Sequence, residues 1–463
     1  MSTTNASGRG GPRRNVRRLG GILISLALLG AACGDDDSDD SSADDAESAV
    51  SEAVDDAETA VSEAVDDAET EDTSGGDDDG EMAEPSGDPV KVMTIAPVNS
   101  QLPPYPNIQA AAEVYEQYVN DRGGVAGRPL EMIFCDDQGD PNVAADCARQ
   151  GVEEGVVAVV GSFVFDASGI ISVLEEANTA WFGACCPLVT QEFQSEISYP
   201  LGSLLPGQGA GNGWKMAQDG CENVVALYID IPAGDAAHPA VLNAYEVGGG
   251  DPANVRVVKI PITAQDYSAQ VAEALGGGTD CIAGGISDSN WATWLPGMIA
   301  AGAEGVTLYG LQGNLNGVIA EQFPDITEGA VVSNSYPNIS GSMWDDYNAA
   351  IVEYEADPDL DYNSLAGLGT WTAFTAFKQI VDGMEGDIDN DTFIEAADST
   401  TELDTGGMIP VLDLSTEYEG YGGSFPRIFN RTVFFDVISG GALTPLDDQS
   451  YDMTGPIDGQ PME

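Results

Sequence analysis

The chain has 463 residues, a formal net charge of −63 and 43% hydrophobic residues. Such a negative charge repels both a nucleic acid backbone and an anionic lipid surface. We therefore expect no nucleic acid partner and no binding to anionic lipid. The length exceeds that of a typical single domain, and more than one core is therefore expected.

The N-terminus has the order of a secretory signal peptide. Residues 9–18 carry five arginines, residues 19–29 form an apolar run too short to span a membrane, and Gly-Ala-Ala-Cys follows. This ending resembles the lipobox of bacterial lipoproteins, in which Cys33 becomes the acylated first residue. An ordinary signal peptidase site after Ala32 is the alternative. The paired arginines leave the general secretory and twin-arginine export routes both open. Residues 1–32 are thus a predicted signal peptide.

Residues 33–89 follow as an acidic tract that lacks Lys and Arg and contains AVSEAVDDAET twice in succession. Such a composition buries too little apolar surface to fold alone. We expect an acylated Cys33 and an extended, disordered tether, with self-repulsion holding the folded part away from the membrane. The predicted location is extracytoplasmic, with the N-terminal lipid anchoring the chain to the outer face of the cell membrane.

From residue 90 onwards, apolar strands alternate with helical stretches. VKVMTIAPV, RPLEMIFCD, VVAVVG and AWFGA are predicted strands, with amphipathic helices between them. GQGAGNGWKMAQDG is a predicted helix, and a second series of strands and helices begins after it. The tail segments PVLDLST and RIFNRTVFFDVISGG are also predicted strands. This pattern predicts an α/β fold of two lobes, each a mostly parallel sheet flanked by helices.

The acid-rich corner around residues 135–147 admits two interpretations. Asp140 and Pro141 are typical of a helix start, so Cys147 on that helix faces the strand that ends at Cys135. A Cys135–Cys147 disulfide is favoured over a cation site formed by Asp137, Asp140 and Asn142. The corner lacks the glycine and distal glutamate of a helix-loop-helix calcium loop.

The other four cysteines offer two candidate pairs. Cys221 and Cys281 each precede a strand of the second lobe, and a disulfide between them is favoured if those strands are adjacent. For Cys185 and Cys186 the sequence leaves three alternatives open. The two residues form a vicinal disulfide that provides a rigid apolar platform in the cleft, one of them pairs with another cysteine, or both stay free. The spacings supply no tetrahedral zinc set, so neither a metal nor another cofactor is expected.

Four segments resemble one known family: NDRGGVAGRPLEMIFCDDQGDPNVAADCARQ, VVAVVG, PITAQDYSAQ and FPRIFNRTVFFDV. They are similar to type I periplasmic solute-binding proteins of the branched-chain amino acid importer group, over residues 90–445. The resemblance implies three hinge crossings, a small-molecule ligand in the cleft, and delivery to the permease subunits of an ATP-driven (ABC) transporter. It places residues 90–202 and 337–407 in one lobe and 203–336 and 408–463 in the other. A monomer is expected.

Candidate ligand contacts come from the loops at the carboxyl ends of the strands, where ligands of parallel sheets bind. Two tyrosines, one in QLPPYPN and one near a hinge, are predicted to cover the ligand. The predicted ligand-binding residues are Tyr105, Phe163, Phe165, Asp166, Ser168, Ala184, Cys185, Asp230, Ser287, Asp288, Gln312 and Tyr336.

Several of these positions depart from the family pattern. The resemblance implies small hydroxyl residues after the third strand to grip a ligand carboxylate, but SFVFDASG offers only Ser168 and its backbone. It also implies an aromatic residue and an acid facing the ligand ammonium, where this chain has Ser287 and Gln312, with Asp288 as a near substitute. Losing that carboxylate removes a charge-assisted hydrogen bond. We therefore expect a ligand other than a plain branched-chain amino acid, such as a neutral or polar amide or an aromatic acid.

Two other functional classes compete with a transport role. His238 is the one histidine of the chain, and no serine stands in a nucleophile elbow, so a hydrolase is disfavoured and the chain is not expected to be an enzyme. A sensor that reports a solute to a membrane partner uses the same module, and the sequence does not separate it from an importer. The favoured prediction is an extracytoplasmic solute-binding lipoprotein.

Overall fold

The computed structural model describes residues 84–462. The predicted signal peptide, Cys33 and nearly all of the predicted tether lie outside the described residues. Within the described range, none of the helices combines the length and the apolar character that a membrane span requires.

The first sheet consists of parallel strands in the order β2-β1-β3-β4-β5. The central strand β1 is almost wholly buried, because helices cover both faces of the sheet. We call this sheet and its helices lobe 1. Its elements are β1 (Val90–Ala96), α1 (Pro106–Asn120), β2 (Leu130–Asp136), α2 (Pro141–Glu154), β3 (Ala158–Val160), α3 (Ser168–Glu176), β4 (Ala180–Phe182), α4 (Thr190–Gln194) and β5 (Ser198–Tyr199).

The second sheet, in lobe 2, repeats this order with five parallel strands, β7-β6-β8-β9-β10. Its first elements are α5 (Leu204–Gln218), β6 (Val224–Ile229), α6 (Pro232–Val247), β7 (Val255–Ile260), α7 (Ser268–Ala274), β8 (Cys281–Gly285), α8 (Asp288–Ala300), β9 (Thr307–Leu311), α9 (Gly317–Gln322), α10 (Pro324–Thr327) and β10 (Val331–Asn334). Repetition of the order brings the carboxyl ends of both sheets to the cleft between them.

The chain then returns to lobe 1 before it completes lobe 2. Helices α11 (Asp345–Glu353), α12 (Leu365–Asp382) and α13 (Asn390–Ser399) pack against α1, β3 and β4. Strand β11 (Thr432–Ser439) pairs antiparallel with β10, and β12 (Ala442–Pro445), β13 (Tyr451–Asp452) and α14 (Thr454–Ile457) follow. The backbone thus crosses between the lobes three times, and the predicted α/β fold class is confirmed.

The third crossing comes late in the chain. Leu412 and Leu414 are buried in the same apolar cluster as β1 and α12. The predicted division after residue 407 precedes these contacts, and we propose that the third crossing follows Leu414. The segment PVLDLST was a predicted strand, but the structure contains only an isolated bridge between Leu403 and Leu412 there. Its leucines fill the core of lobe 1 without a neighbouring strand to extend the ladder.

The sequence pattern left several elements unpredicted, among them β10 and α13. Strand β10 is short and ends in polar Ser333 and Asn334, so its composition does not signal a buried strand. Helix α13 begins at a capping box on Asp389 and Thr392, within a stretch rich in acidic residues. Both elements are stabilised by packing against other elements and not by a strong local pattern.

The glycine-rich helix α5 forms because it packs unusually close to α6. A Cβ atom added at Gly213 would lie 2.3 Å from the carbonyl oxygen of Val241. Glycine lowers the helix propensity of α5, but the absence of side chains lets α5 and α6 pack closely, and this packing offsets the loss. The predicted helix GQGAGNGWKMAQDG is therefore correct, and its first turn lies at the hinge.

Three disulfides join the six cysteines of the described residues. Cys135 at the end of β2 is bonded to Cys147 on α2, with 5.8 Å between their Cα atoms. Cys221 before β6 is bonded to Cys281 on the adjacent strand β8, with 5.9 Å between the Cα atoms. The remaining pair, Cys185 and Cys186, forms a vicinal disulfide after β4.

The carboxylates of the acid-rich corner stabilise its turn. Buried Asp137 accepts a hydrogen bond from the backbone N–H of Gly139 (3.2 Å), and Asp140 caps α2 by accepting from the N–H of Asn142 (2.8 Å). Burial raises the pKa of Asp137 to about 6. Each acid therefore has a local structural role at the corner.

Candidate functional site

A cavity of about 160 Å³ lies in the cleft, between the carboxyl edges of the two sheets. Among the described residues, none of the side chains that line it is charged. Its lobe 1 wall consists of Pro103, Tyr105, Phe163, Phe165, Cys185, Cys186, Pro187, Leu188 and Leu365. Its lobe 2 wall consists of Leu204, Leu205, Gln208, Ile229, Ile231, Gly234, Ile262, Gly285, Ile286, Ser287, Leu311, Gln312 and Asn314.

Three aromatic rings form one part of the lobe 1 wall. The ring centroids of Tyr105 and Phe163 are 4.5 Å apart, and those of Phe163 and Phe165 are 5.1 Å apart in an edge arrangement. The backbone N–H of Phe163 donates to the carbonyl of Ile95 at the end of β1, and that of Tyr105 donates to Pro97. Because strand ends hold the backbone of both residues, the cluster presents a fixed aromatic surface to a ligand.

Tyr105 provides the phenol of this cluster. Burial, and then the nearby charge of Asp288, raise the pKa of Tyr105 above its ordinary value. The phenol therefore stays protonated near neutral pH and is a hydrogen-bond donor at the cleft.

The vicinal disulfide forms the adjoining part of the wall. The N–H of Cys185 donates to the carbonyl of Ser162 (3.1 Å), which follows β3. Helix α12 lies behind it: a Cβ atom added at Gly369 would be 3.3 Å from the Cβ of Cys185 and 3.2 Å from the phenol oxygen of Tyr336. The disulfide is thus an apolar surface backed by a helix that has little room to move.

Gln312 lines the cavity, but its side chain is bonded to the hinge. Its Oε1 accepts from the backbone N–H groups of Ser335 and Tyr336, both at 3.0 Å, and its Nε2 donates to the carbonyl of Tyr336 at 3.2 Å. Both ends of the amide are engaged. Gln312 therefore holds the second crossing to the end of β9, and these bonds leave a single N–H of its amide for a ligand.

The crossings are also bonded to one another. The Nε2 of Gln208 donates to the hydroxyl of Ser335 (2.6 Å), which lies 3.0 Å from the hydroxyl of Ser203. The side chain of Asn430 donates to the carbonyl of Leu201 (3.0 Å) and so joins the third crossing to the first. These buried bonds couple all three crossings directly beside the cavity.

Ser287 and Asp288 lie at the start of α8. The Ser287 hydroxyl caps the helix by accepting from the N–H of Asn290 (3.2 Å). Asp288 does not line the cavity, but its charge raises the pKa values of Tyr105 and Asp361 after the larger effect of their burial. Asp288 of lobe 2 therefore faces lobe 1 at the mouth of the cleft.

A family model described as periplasmic binding protein matches residues 89–416. The chain belongs to this family. The resemblance of the sequence to periplasmic binding proteins is thus confirmed, and the fold is that of such proteins. No curated protein sequence matches the chain.

Solved structures share the fold of this periplasmic binding protein at low sequence identity. An extracellular ligand-binding receptor from Verminephrobacter eiseniae superposes with a TM-score of 0.65 at 15% identity, covering 77% of this chain and 100% of the receptor. A fatty acid ABC transporter substrate-binding protein from Thermomonospora curvata gives 0.62 at 18% identity, with 79% and 93% covered. A solute-binding protein from Rhodopseudomonas palustris in complex with p-hydroxybenzoic acid gives 0.63 at 16% identity, with 79% and 98% covered.

Several predicted contacts of this periplasmic binding protein do not line the cavity. Asp166 caps α3 by accepting from the N–H (3.0 Å) and hydroxyl (2.6 Å) of Ser168, and Asp230 lies 3.3 Å from the ammonium of Lys259. Each carboxylate already has a partner on its own lobe. The remaining predicted residues away from the cavity are Ser168, Ala184, Asp288 and the hinge residue Tyr336.

The aliphatic contacts of the binding protein were missed from the sequence. Ile229 ends β6, Ile231 follows it, and Ile262 lies beyond β7, so three isoleucines extend the lobe 2 sheet into the cleft. Their signal is an isoleucine that recurs two residues after the last isoleucine of the strand, as in YIDI and KIPI.

Proposed function

We propose that this protein is an extracytoplasmic solute-binding lipoprotein that captures a small, uncharged, mostly apolar molecule and delivers it to an ABC permease. The observation that carries the proposal is the lining of the cavity: aromatic rings, a vicinal disulfide and aliphatic side chains, with no charged side chain among the described residues. Such a lining gains free energy by removing apolar ligand surface from water.

A free amino acid lacks partners in this cavity for both of its charges. Asp166 already occupies the N-terminus of α3, where a ligand carboxylate would be bound in the implied family pattern. Gln312 stands where that pattern has an acid, and its amide is bonded to the hinge. Burying an unpaired charge costs several kcal/mol, so zwitterions are disfavoured. Of the ligands expected from the sequence, neutral compounds therefore fit better than aromatic acids.

Two relatives with this fold agree with a ligand that is largely apolar. One is described as a fatty acid substrate-binding protein, and the other was solved with p-hydroxybenzoic acid. Both ligands carry a carboxylate, whereas the present cavity has no cationic side chain among the described residues. We therefore infer that the ligand of this protein resembles theirs in its apolar part and is neutral at its polar end.

The test is a thermal-shift and calorimetric screen of the purified protein with its disulfides formed. Benzyl alcohol, cyclohexanol, benzamide, p-hydroxybenzoate, leucine and valine are the probes. A ligand present at about a hundred times its Kd adds about 2.7 kcal/mol to the free energy of unfolding. Stabilisation by the neutral rings and none by leucine or valine is the expected result. Micromolar binding of leucine would contradict the proposal.

The lipid anchor is tested by the substitution Cys33→Ser. The protein is expected in the membrane fraction with a labelled fatty acid attached, and the variant is expected unlabelled and released. An unlabelled wild-type protein would instead indicate cleavage after Ala32. Uptake of the identified ligand by cells with and without the protein separates an importer from a sensor, since a sensor responds to the ligand without changing its uptake.

A further inference from the structure

A second cavity, of about 400 Å³, adjoins the first. We call the first the inner chamber and the second the outer chamber. Five apolar residues line both: Phe165, Leu188, Leu205, Ile231 and Ile262. They come from both lobes and form an apolar neck between the chambers. An occupant of the inner chamber is thus separated from the outer one only by apolar side chains.

The outer chamber has an apolar body and a polar rim. Phe193 and Phe425 lie on its wall with their ring centroids 4.8 Å apart, one on α4 and the other in the segment that leads into β11. Thr190 and Gln191, at the exposed start of α4, provide its polar groups together with the capping carboxylate of Asp166. Among the described residues, no Lys, Arg or His lines either chamber.

We propose that the ligand is an elongated, uncharged molecule whose apolar chain runs from the inner chamber through the neck, with a single neutral polar group at the rim formed by Thr190 and Gln191. This inference rests on the proposed function, because it assumes that the inner chamber binds an apolar ligand. The hydroxyl of Thr190 and the amide of Gln191 donate to and accept from an alcohol, ester or amide group. Without a cation at the rim, a carboxylate would face only the nearby Asp166 and the strongly acidic chain.

The continuity of the walls argues for one ligand across both chambers. A short ligand would fill the inner chamber and leave the apolar walls of the outer chamber in water. A chain that passes the neck covers those walls and contacts both lobes and the segment before β11. It therefore stabilises the arrangement in which all three surfaces are close together.

The test is calorimetric titration of the purified protein with linear primary alcohols from 1-butanol to 1-octanol. Each additional buried methylene contributes about 0.8 kcal/mol, which is about four-fold in Kd. Across four methylenes, 1-octanol is expected to bind about a hundred-fold or more tighter than 1-butanol. Octanoate is expected to bind much more weakly than 1-octanol.

Two substitutions examine the route of the chain. Thr190→Trp places an indole in the outer chamber and is expected to reduce the octanol-to-butanol ratio of affinities to about ten-fold or less, since the distal methylenes lose their site. Gln194→Trp on the same helix is the matched control, because residue 194 lines neither chamber; it is expected to keep the full ratio. Ala236→Phe narrows the outer chamber from lobe 2 and tests the same point if Thr190→Trp does not fold.

The outcomes distinguish the failure of the elongated-ligand proposal from the failure of the proposed function. Affinity that stops rising after 1-pentanol would restrict the ligand to the inner chamber and overturn the elongated ligand, while the proposed function would stand. If Thr190→Trp and Ala236→Phe both kept the wild-type ratio of octanol to butanol affinity, the route through the outer chamber would be overturned. Octanoate binding as tightly as 1-octanol would overturn the neutral polar end. Absence of binding by every alcohol and every neutral ring would overturn the proposed function itself.

Discussion

The two edges of the cleft are built on the same strand order but present different chemistry. In lobe 1 the loop after β3 turns Phe163 and Phe165 towards the cavity. In lobe 2 the loop after β9 carries Gln312, whose amide is bonded back to the hinge. A polar residue at the end of a strand is thus available to a ligand only when other groups of the protein have not already satisfied its hydrogen bonds.

The largest expected effect is that of Gln312→Ala. The substitution leaves two backbone N–H groups and one carbonyl of the second crossing without their partner, and each such buried group costs about 1–3 kcal/mol. We expect the free energy of unfolding in urea to fall by roughly 4 kcal/mol. Asn314→Ala, two residues along the same loop, is expected to change it by less than about 1 kcal/mol. Loss of ligand binding at unchanged stability would make Gln312 a ligand contact and would contradict its role at the hinge.

The second prediction concerns the support of the lobe 1 edge. Buried Glu192 accepts from the N–H groups of Leu188 (2.8 Å) and Val189 (3.1 Å), and burial raises its pKa from the ordinary 4.5 to about 7. Between these values the unfolded chain is ionised while the folded protein keeps the proton. The contribution of Glu192 to stability therefore falls as pH rises from about 4.5 to about 7, by up to about 3 kcal/mol.

Urea unfolding of the protein and of Glu192→Gln at pH 4.5 and pH 7.5 measures this effect. The neutral variant keeps the buried volume but has no proton to lose, so the stability difference between variant and wild type is expected to shift in favour of the variant at the higher pH. An identical pH profile for the two proteins would show that Glu192 does not titrate in this range.

A third substitution, Phe165→Ala, tests the aromatic wall that lobe 1 presents to the ligand. Phe165 is half-buried and lines the cavity, so its removal is expected to raise the Kd for a bound neutral aromatic about ten-fold, equivalent to about 1.4 kcal/mol, by calorimetry. Phe134→Ala removes a partly buried ring from the same cluster that does not line the cavity. It is expected to lower stability without changing affinity. Equal effects of the two variants on affinity would show that the ring acts through packing.

The smallest effect is expected from Asp166→Ala, for which lobe 2 supplies a matched control. Asp166 accepts from the N–H and hydroxyl of Ser168, and Asp266 accepts in the same way from Ser268 at the start of α7. Each alanine variant is expected to lose about 1 kcal/mol of stability with its cap. Only Asp166→Ala frees a helix N-terminus beside the cleft, so it alone is expected to improve p-hydroxybenzoate binding, by about two- to five-fold. Equal improvement in both variants would contradict this role.

Local sequence patterns were sufficient to predict much of the fold. Alternating apolar strands and amphipathic helices predicted two α/β lobes, and the position of Asp140 and Pro141 placed Cys147 on a helix facing Cys135. Ligand contacts from the ends of strands included Tyr105, Phe163 and Phe165, which do line the cavity. Such features depend on residues close in sequence or on the general geometry of parallel sheets, and both are visible without coordinates.

The composition of the site was decided by contacts between distant residues. Whether Gln312 faces a ligand depends on the hydrogen bonds that Ser335 and Tyr336 form with it, and the position of Leu414 in the lobe 1 core depends on a chain that returns to this lobe.

The alternation of strands and helices, the resemblance to the family and the strongly acidic character of the chain are therefore readable from the amino-acid sequence alone. The tertiary structure was needed to show that the described side chains lining the first cavity are mostly apolar and carry no charge, since burial and hydrogen-bond satisfaction are properties of neighbours in space and not of neighbours in the chain.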